Sequence, residues 1–217
     1  MELQKPITIL DSTEIRVLGS MIEKSKTTPD YYPITLNALT LACNQKSSRH
    51  PIVQYEEATV VSALDNLKRK GLISTATGAG SRVLKYKHNF AIVYPVNPAD
   101  LAVLCLLFLR GPLTPGEINS NSARLYEFDS LEEVLLVLEK LSQGNTPFIK
   151  QLPRRSGQKE QRFIHLFGEV QQEPDEEIQE DHKNANVNNL ESRVETLEKE
   201  LSELKSAFEK LLKEWTG

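Results

Sequence analysis

A mainly α-helical fold carrying small β-hairpins, α+β in class, is what this sequence predicts, and three features of its 217 residues predict it. Helical apolar spacing and capping residues mark short segments in two groups of three. Each group is followed by two strand-like stretches around a glycine-rich or basic turn. Further on, apolar residues alternate by three and four without a break from position 187 to 215, a span of 29 residues. The length suits two compact domains of about 100 residues each.

The first helix opens at Asp11, with Glu14 three residues on, so that each side chain can satisfy a backbone amide of the first turn. Ile15, Leu18 and Ile22 recur on one of its faces. Thr35, after the turn residues Pro29, Asp30 and Pro33, starts a second short helix with Leu36, Leu39 and Cys43 as its apolar positions. Beyond the polar stretch CNQKSSRHP, a third helix is expected over about residues 56–70 on the stripe Val60, Leu64 and Leu67. Gly71 stops it, and Lys68, Arg69 and Lys70 stand where the helix dipole favours cations. Residues 72–75 and 82–87 then read as a hairpin around Gly78-Ala79-Gly80. Three helices and a hairpin make a winged helix.

The same order returns downstream. Asn97-Pro98 starts a helix through Leu101, Leu104, Cys105 and Phe108 that stops at Gly111. Thr114-Pro115-Gly116-Glu117 starts another, and Ser130 with Glu133 caps a third that carries Val134, Leu135, Leu138 and Leu141. Residues 148–152 and 161–166 form a second hairpin around a basic tip at 153–159. The expected organisation is therefore two tandem winged-helix domains, 1–95 and 96–168, an acidic linker at 169–186, and a C-terminal coiled-coil helix at 187–217.

In that last segment Val187, Val194, Leu201, Phe208 and Trp215 fall at heptad position a, with Leu190, Leu197, Leu204 and Leu211 at d. The seam is narrow, as self-pairing requires, and about 1.5 Å of rise per residue makes it roughly 43 Å long. In a parallel pair Arg193 at g faces Glu198 at e, and Glu200 faces Lys205, so a homodimer through this coil is expected.

The net charge of -4 is unevenly spread: Lys and Arg number 12 against 8 Asp and Glu in residues 1–95, 8 against 8 in 96–168, and 6 against 14 in 169–217. A basic front and an acidic end fit partner binding better than catalysis. No run approaches the roughly 18 apolar residues of a membrane span, and MELQKPITIL lacks the layout of a secretory leader, so a cytoplasmic location and no membrane partner are expected. Cys43 and Cys105 lie among apolar residues, which suits reduced core thiols. His50, His88, His165 and His182 have no ligand spacing, and neither a G-x-S-x-G elbow nor a Walker lysine loop occurs. The glycines at 78–80 precede a strand-like, basic stretch instead of the helix a dinucleotide site needs. The expectation is a non-enzyme with no catalytic residues, no metal and no cofactor.

A winged helix offers its third helix to the major groove and its wing to the backbone, where Lys and Arg meet phosphate. The candidate DNA contacts are Lys46, Ser47, Ser48 and Arg49 before the third helix, Lys68 and Arg69 at its end, and Arg82, Lys85 and Lys87 on the wing. Glu56 and Glu57 at the start of that helix oppose phosphate and complement the dipole instead. Arg154, Arg155, Lys159 and Arg162 around the second hairpin make a second contact surface for phosphate or an acidic protein, while Glu132, Glu133 and Glu139 make the second domain's third helix unsuited to a groove.

The segments YPITLNALTLACNQKSSRHP, GSRVLKYKHNF, NSARLYEFDSLEEV and LPRRSGQKEQRFIHLF resemble the YceH-like family of bacterial proteins over essentially the whole chain. Asn44, Lys46, Ser47 and Arg49 match the family's CNQKS-N-R-D pattern, and Ser48 and His50 depart from it. The resemblance implies two winged-helix domains and no assigned biochemical activity. The residues themselves point to a dimeric, non-catalytic DNA-binding regulator of transcription that holds duplex DNA through its basic first domain. The alternative is a protein-interaction adaptor that uses its winged-helix surfaces on a protein partner.

Overall fold

The computed structural model describes residues 6–76, 83–144, 146–154 and 160–168. Its helices begin where the sequence supplies caps. Helix α1 (Ser12–Thr27) starts with Asp11 accepting from the Glu14 amide at 2.8 Å, while the Asp11 amide donates to the Glu14 carboxylate at 2.8 Å. The same reciprocal pair opens α5 (Pro98–Arg110) at Asn97 and Asp100, and α6 (Pro115–Ser122) at Thr114 and Glu117, each with proline in the first turn. Single hydroxyl caps start α2 (Leu36–Cys43) at Thr35 and α7 (Leu131–Ser142) at Ser130. Glu133 does not close a box with Ser130; its carboxylate accepts from the Asp129 amide at 2.8 Å and the Tyr126 hydroxyl at 3.0 Å. Helix α3 (Glu57–Arg69) lacks a side-chain cap and ends before Gly71, whose φ of +75° suits a residue without a Cβ.

Strands β2 (Ile73–Ala76) and β3 (Lys85–His88) form the first hairpin, and β4 (Ile149–Gln151) and β5 (Phe163–His165) the second; both are antiparallel. A short strand and a short helix lie outside the sequence expectation, as does a 3-10 helix at Pro29–Tyr31. Strand β1 (Ile34–Thr35) adds to β3, giving the order β1-β3-β2 with Ile34 opposite Tyr86 and Thr35 opposite Lys85. Helix α4 (Phe90–Val93), a single turn after the hairpin, places Phe90 and Tyr94 in the core. The glycine tip at 78–80, most of the basic tip, the linker and the heptad segment lie outside the described residues.

Met1–Val170 is one compact unit, and the boundary expected near Pro95 falls inside it. The reason is α5, which is apolar on nearly every face and buried from Ala99 to Leu109. It packs on α1 from the first half and on α6, α7 and β5 from the second, so both halves share one core. Gly19 permits the α1–α5 approach: a Cβ there would meet the Leu109 and Phe108 side chains at 3.0 Å. Phe167 closes the core with ring centroids 5.3 Å from Phe90, 5.2 Å from Tyr94, 5.4 Å from Phe108 and 5.7 Å from Phe148. Beside it the Leu10 amide donates to the Phe167 carbonyl at 2.7 Å. Cys43 and Cys105 are buried free thiols, and burial raises the pKa of each.

Two histidines couple this packing to pH. Burial lowers His88 to about 4, assisted by the charge of Lys26, and burial alone lowers His165 to about 4. Both are neutral in the fold at pH 7, whereas the unfolded chain binds a proton near pH 6.5. Stability is therefore full above about pH 6.5 and falls as pH drops towards 4, by up to about 3 kcal/mol per histidine. Urea unfolding at stepped pH should show that loss, and His165→Gln should flatten the profile relative to the parent protein.

Candidate nucleic-acid interface

The first half presents cations from three places. On α3, Val60, Ala63, Leu64 and Leu67 face the core, which leaves Glu57, Ser62, Asp65, Lys68 and Arg69 exposed. Arg69 donates to the Asn66 side chain. Lys70, next in line, is drawn inward to the buried Glu14 carboxylate at 2.6 Å. The exposed face of α3 is thus mixed in charge, with acid at its start and base at its end.

On the hairpin, strand alternation separates Lys85 and Lys87 from Tyr86 and His88. Tyr86 packs against the core, and the His88 ring meets the Ser25 hydroxyl at 3.1 Å while its amide donates to the Tyr32 hydroxyl at 2.6 Å. The two lysines share the opposite face; Lys87 is exposed and Lys85 half-buried. Their neighbours across the sheet are Thr35, Ser74 and Ala76, so no carboxylate stands opposite them on the paired strands. Arg82 lies outside the described residues.

The third place is the loop between α2 and α3. Asn44 clips it shut, with its amide donating to the Tyr55 carbonyl and accepting from the Tyr55 amide, both at 2.8 Å. Lys46, Ser47 and Ser48 are exposed on its outer side. Arg49 corrects the sequence expectation. Its side chain is fully enclosed, donating to Glu23 at 2.6 and 3.0 Å, to the Ala42 carbonyl at 3.1 and 3.2 Å, to the Ser48 carbonyl at 3.0 Å and to Gln45 at 3.1 Å. A guanidinium with these partners is unavailable to a phosphate and acts as the peg of the loop. Burial pushes the Glu23 carboxyl up, but the hydrogen bonds and charge of Arg49, with Lys24, outweigh it and hold the group below its ordinary value. Arg16, also buried, holds the far end of the loop by donating to the Pro51 carbonyl at 2.5 Å.

Glu23, Arg16 and Arg110 escape sequence reasoning. Glu23 and Arg16 look like ordinary charged positions of an amphipathic helix, and Arg110 looks like a last-turn cation; only the tertiary fold brings them to the loop. In the second half Arg154 is exposed and Arg162 half-buried, and Arg155 and Lys159 lie outside the described residues. The expected coil positions Val187, Leu190, Val194, Leu197, Leu201, Leu204, Phe208 and Leu211 lie outside them as well. Among the described residues no three His, Cys, Asp or Glu side chains gather as a metal site, and no helix is long and apolar enough to cross a membrane.

Among the described residues, seven helices, two small antiparallel sheets and one continuous core define a mixed α+β protein with a basic first half. The chain belongs to the family described as "Protein of unknown function, DUF480", whose model matches residues 10–158. It is 44% identical over 209 residues to a UPF0502 protein of Pectobacterium carotovorum, covering 94% of this chain and 98% of that one. A UPF0502 protein of Shewanella oneidensis is 43% identical over 212 residues, covering 92% and 96% of the two chains. One from Opitutus terrae is 48% identical over 165 residues, covering 76% and 72%.

Proposed function

We propose that this protein is a non-catalytic, cytoplasmic DNA-binding regulator, built as tandem winged helices and dimerised through its C-terminal heptads. The repeated order of three main helices and a hairpin supports the architecture, as does the resemblance to the YceH-like family. The observation that carries the DNA reading is the lysine face of β3, where Lys85 and Lys87 point away from the core on a hairpin that follows the exposed α3. Cations so placed neutralise backbone phosphates and release counterions without reading sequence.

Anisotropy titration of random genomic fragments at two salt concentrations tests this. Lys85→Ala and Lys87→Ala should each weaken binding to all sequences alike and reduce the salt slope by about one unit for every phosphate left without its cation. Glu57→Gln should strengthen binding, since an anion at the start of α3 repels phosphate. No complex at the lower salt would sink the reading. For the dimer, sedimentation should give two chains for the full-length protein and one for a chain ending at Gly168; a full-length monomer at micromolar concentration would exclude the coil as the dimer element.

One observation favours the adaptor reading for the second half. The outward side of α7 carries Glu132 and Glu139 with the exposed Leu135 and Leu136, a surface that repels phosphate and suits a protein.

A further inference from the structure

We infer that Lys46, Ser47 and Ser48 of the α2–α3 loop, together with Arg110 at the end of α5, form one clamp for a backbone phosphate of duplex DNA. The inference rests on the DNA reading above and extends the contact surface into the second half of the protein. Two hydrogen bonds join the loop to the end of α5. The His50 amide donates to the Leu109 carbonyl at 2.8 Å, tying the loop to the last turn of α5, and Arg110 Nη2 donates to Ser48 Oγ at 2.9 Å. Arg110 is thereby laid across the outer rim of the loop, at a residue two positions along the chain from Lys46.

The rim is preorganised. Arg49 and Arg16 hold its backbone from within, and the Asn44–Tyr55 clip fixes its ends, so little freedom is lost when a ligand binds. The rim is also uncompensated. Among the described residues neither Lys46 nor Arg110 makes an ion pair, and the carboxylate beside the loop, Glu23, is turned inward to Arg49 and paired with Lys24 at 3.3 Å. A guanidinium fork anchored at one nitrogen keeps further N–H donors for phosphate oxygens, the two serine hydroxyls add donors, and the lysine supplies a point charge. Further cations are exposed in the same half at Lys68 and Lys87, and a polyanion can use several where a single carboxylate cannot.

The test is anisotropy of a short random-sequence duplex with the full chain across a salt series. Arg110→Gln should weaken binding roughly 5- to 10-fold at about 0.1 M salt and lower the salt slope by about one; adding Lys46→Gln should lower it by about one more. Arg110→Lys should keep the slope. If the parent protein binds and Arg110→Gln leaves affinity and slope unchanged, the clamp is overturned and the DNA reading stands. If Arg110→Gln and Arg110→Lys both weaken binding with an unaltered slope, Arg110 only braces the loop and the clamp is overturned. If polyglutamate displaces the duplex as well as unlabelled duplex does, the phosphate assignment fails in favour of an acidic protein. If the parent protein forms no complex at about 0.05 M salt, the DNA reading and the clamp fall together.

Discussion

Arg49→Ala should cost about 3–5 kcal/mol of stability, because it takes both guanidinium hydrogen bonds from a largely buried carboxylate, leaving it only Lys24, and strips two carbonyls of their donor at once. In a unit of this size that is a fall in Tm of roughly 6–20 °C. The paired variant Glu23→Ala/Arg49→Ala should lose less than the sum of the two single changes, since Glu23→Ala leaves Arg49 buried without a counter-charge and Arg49→Ala leaves Glu23 with Lys24 alone. Lys46→Ala, three residues away and exposed, should stay within about 0.5 kcal/mol of the parent. Equal, small effects for Arg49→Ala and Lys46→Ala would place the Arg49 side chain in solvent and contradict the structure. Under the proposed DNA reading, a loss of affinity in Arg49→Ala reports a displaced loop and not a missing phosphate partner.

Phe167→Ala should be comparably severe, about 3–5 kcal/mol, because the removed ring touches four others and the cavity has rigid walls. Phe90 and Tyr94 come from the first half, and Phe108 and Phe148 from the second, so the loss should be felt by both. Far-UV circular dichroism and tyrosine fluorescence should report one coincident urea transition, shifted as a whole in the variant. A fragment ending at Pro95 should fail to fold alone, since it exposes the α1 surface that α5 covers. Two separate transitions, only one of them shifted by the substitution, would show that the halves are independent after all.

How far the sequence reaches depends on whether the physics is local. The starts of α1 and α6 are legible because a capping box spans four residues, that of α5 because Asn97 precedes a proline, and the ends of α3 and α5 because Gly71 and Gly111 adopt positive φ. Both hairpins are legible from their turns. Strand β1 is not, because two residues become a strand only when Ile34 meets Tyr86. The shared core is hidden for the same reason: the all-round apolar character of α5 announces burial without saying that both halves do the burying. At the site, Lys46, Ser47, Lys68, Arg69 and Lys87 are exposed as their polarity suggests. Arg49 misleads because a cation in a polar stretch reads as solvated until Glu23, from a different helix, is placed beside it.

The close crossing at Gly19 also sets a timetable for the chain as it is made. About 90 residues separate Gly19 from Leu109. At ribosomal speeds of roughly 5–20 residues per second, α1 waits roughly 5–20 s for the helix that covers it. During that wait Val17, Leu18 and Met21, all enclosed in the finished protein, have only the first half to pack against. The last seal, the Leu10–Phe167 bond, forms only when nearly all of the compact unit has left the tunnel. The nascent first half therefore carries apolar α1 surface with no α5 to cover it, and a ribosome stalled near residue 95 would hold it there.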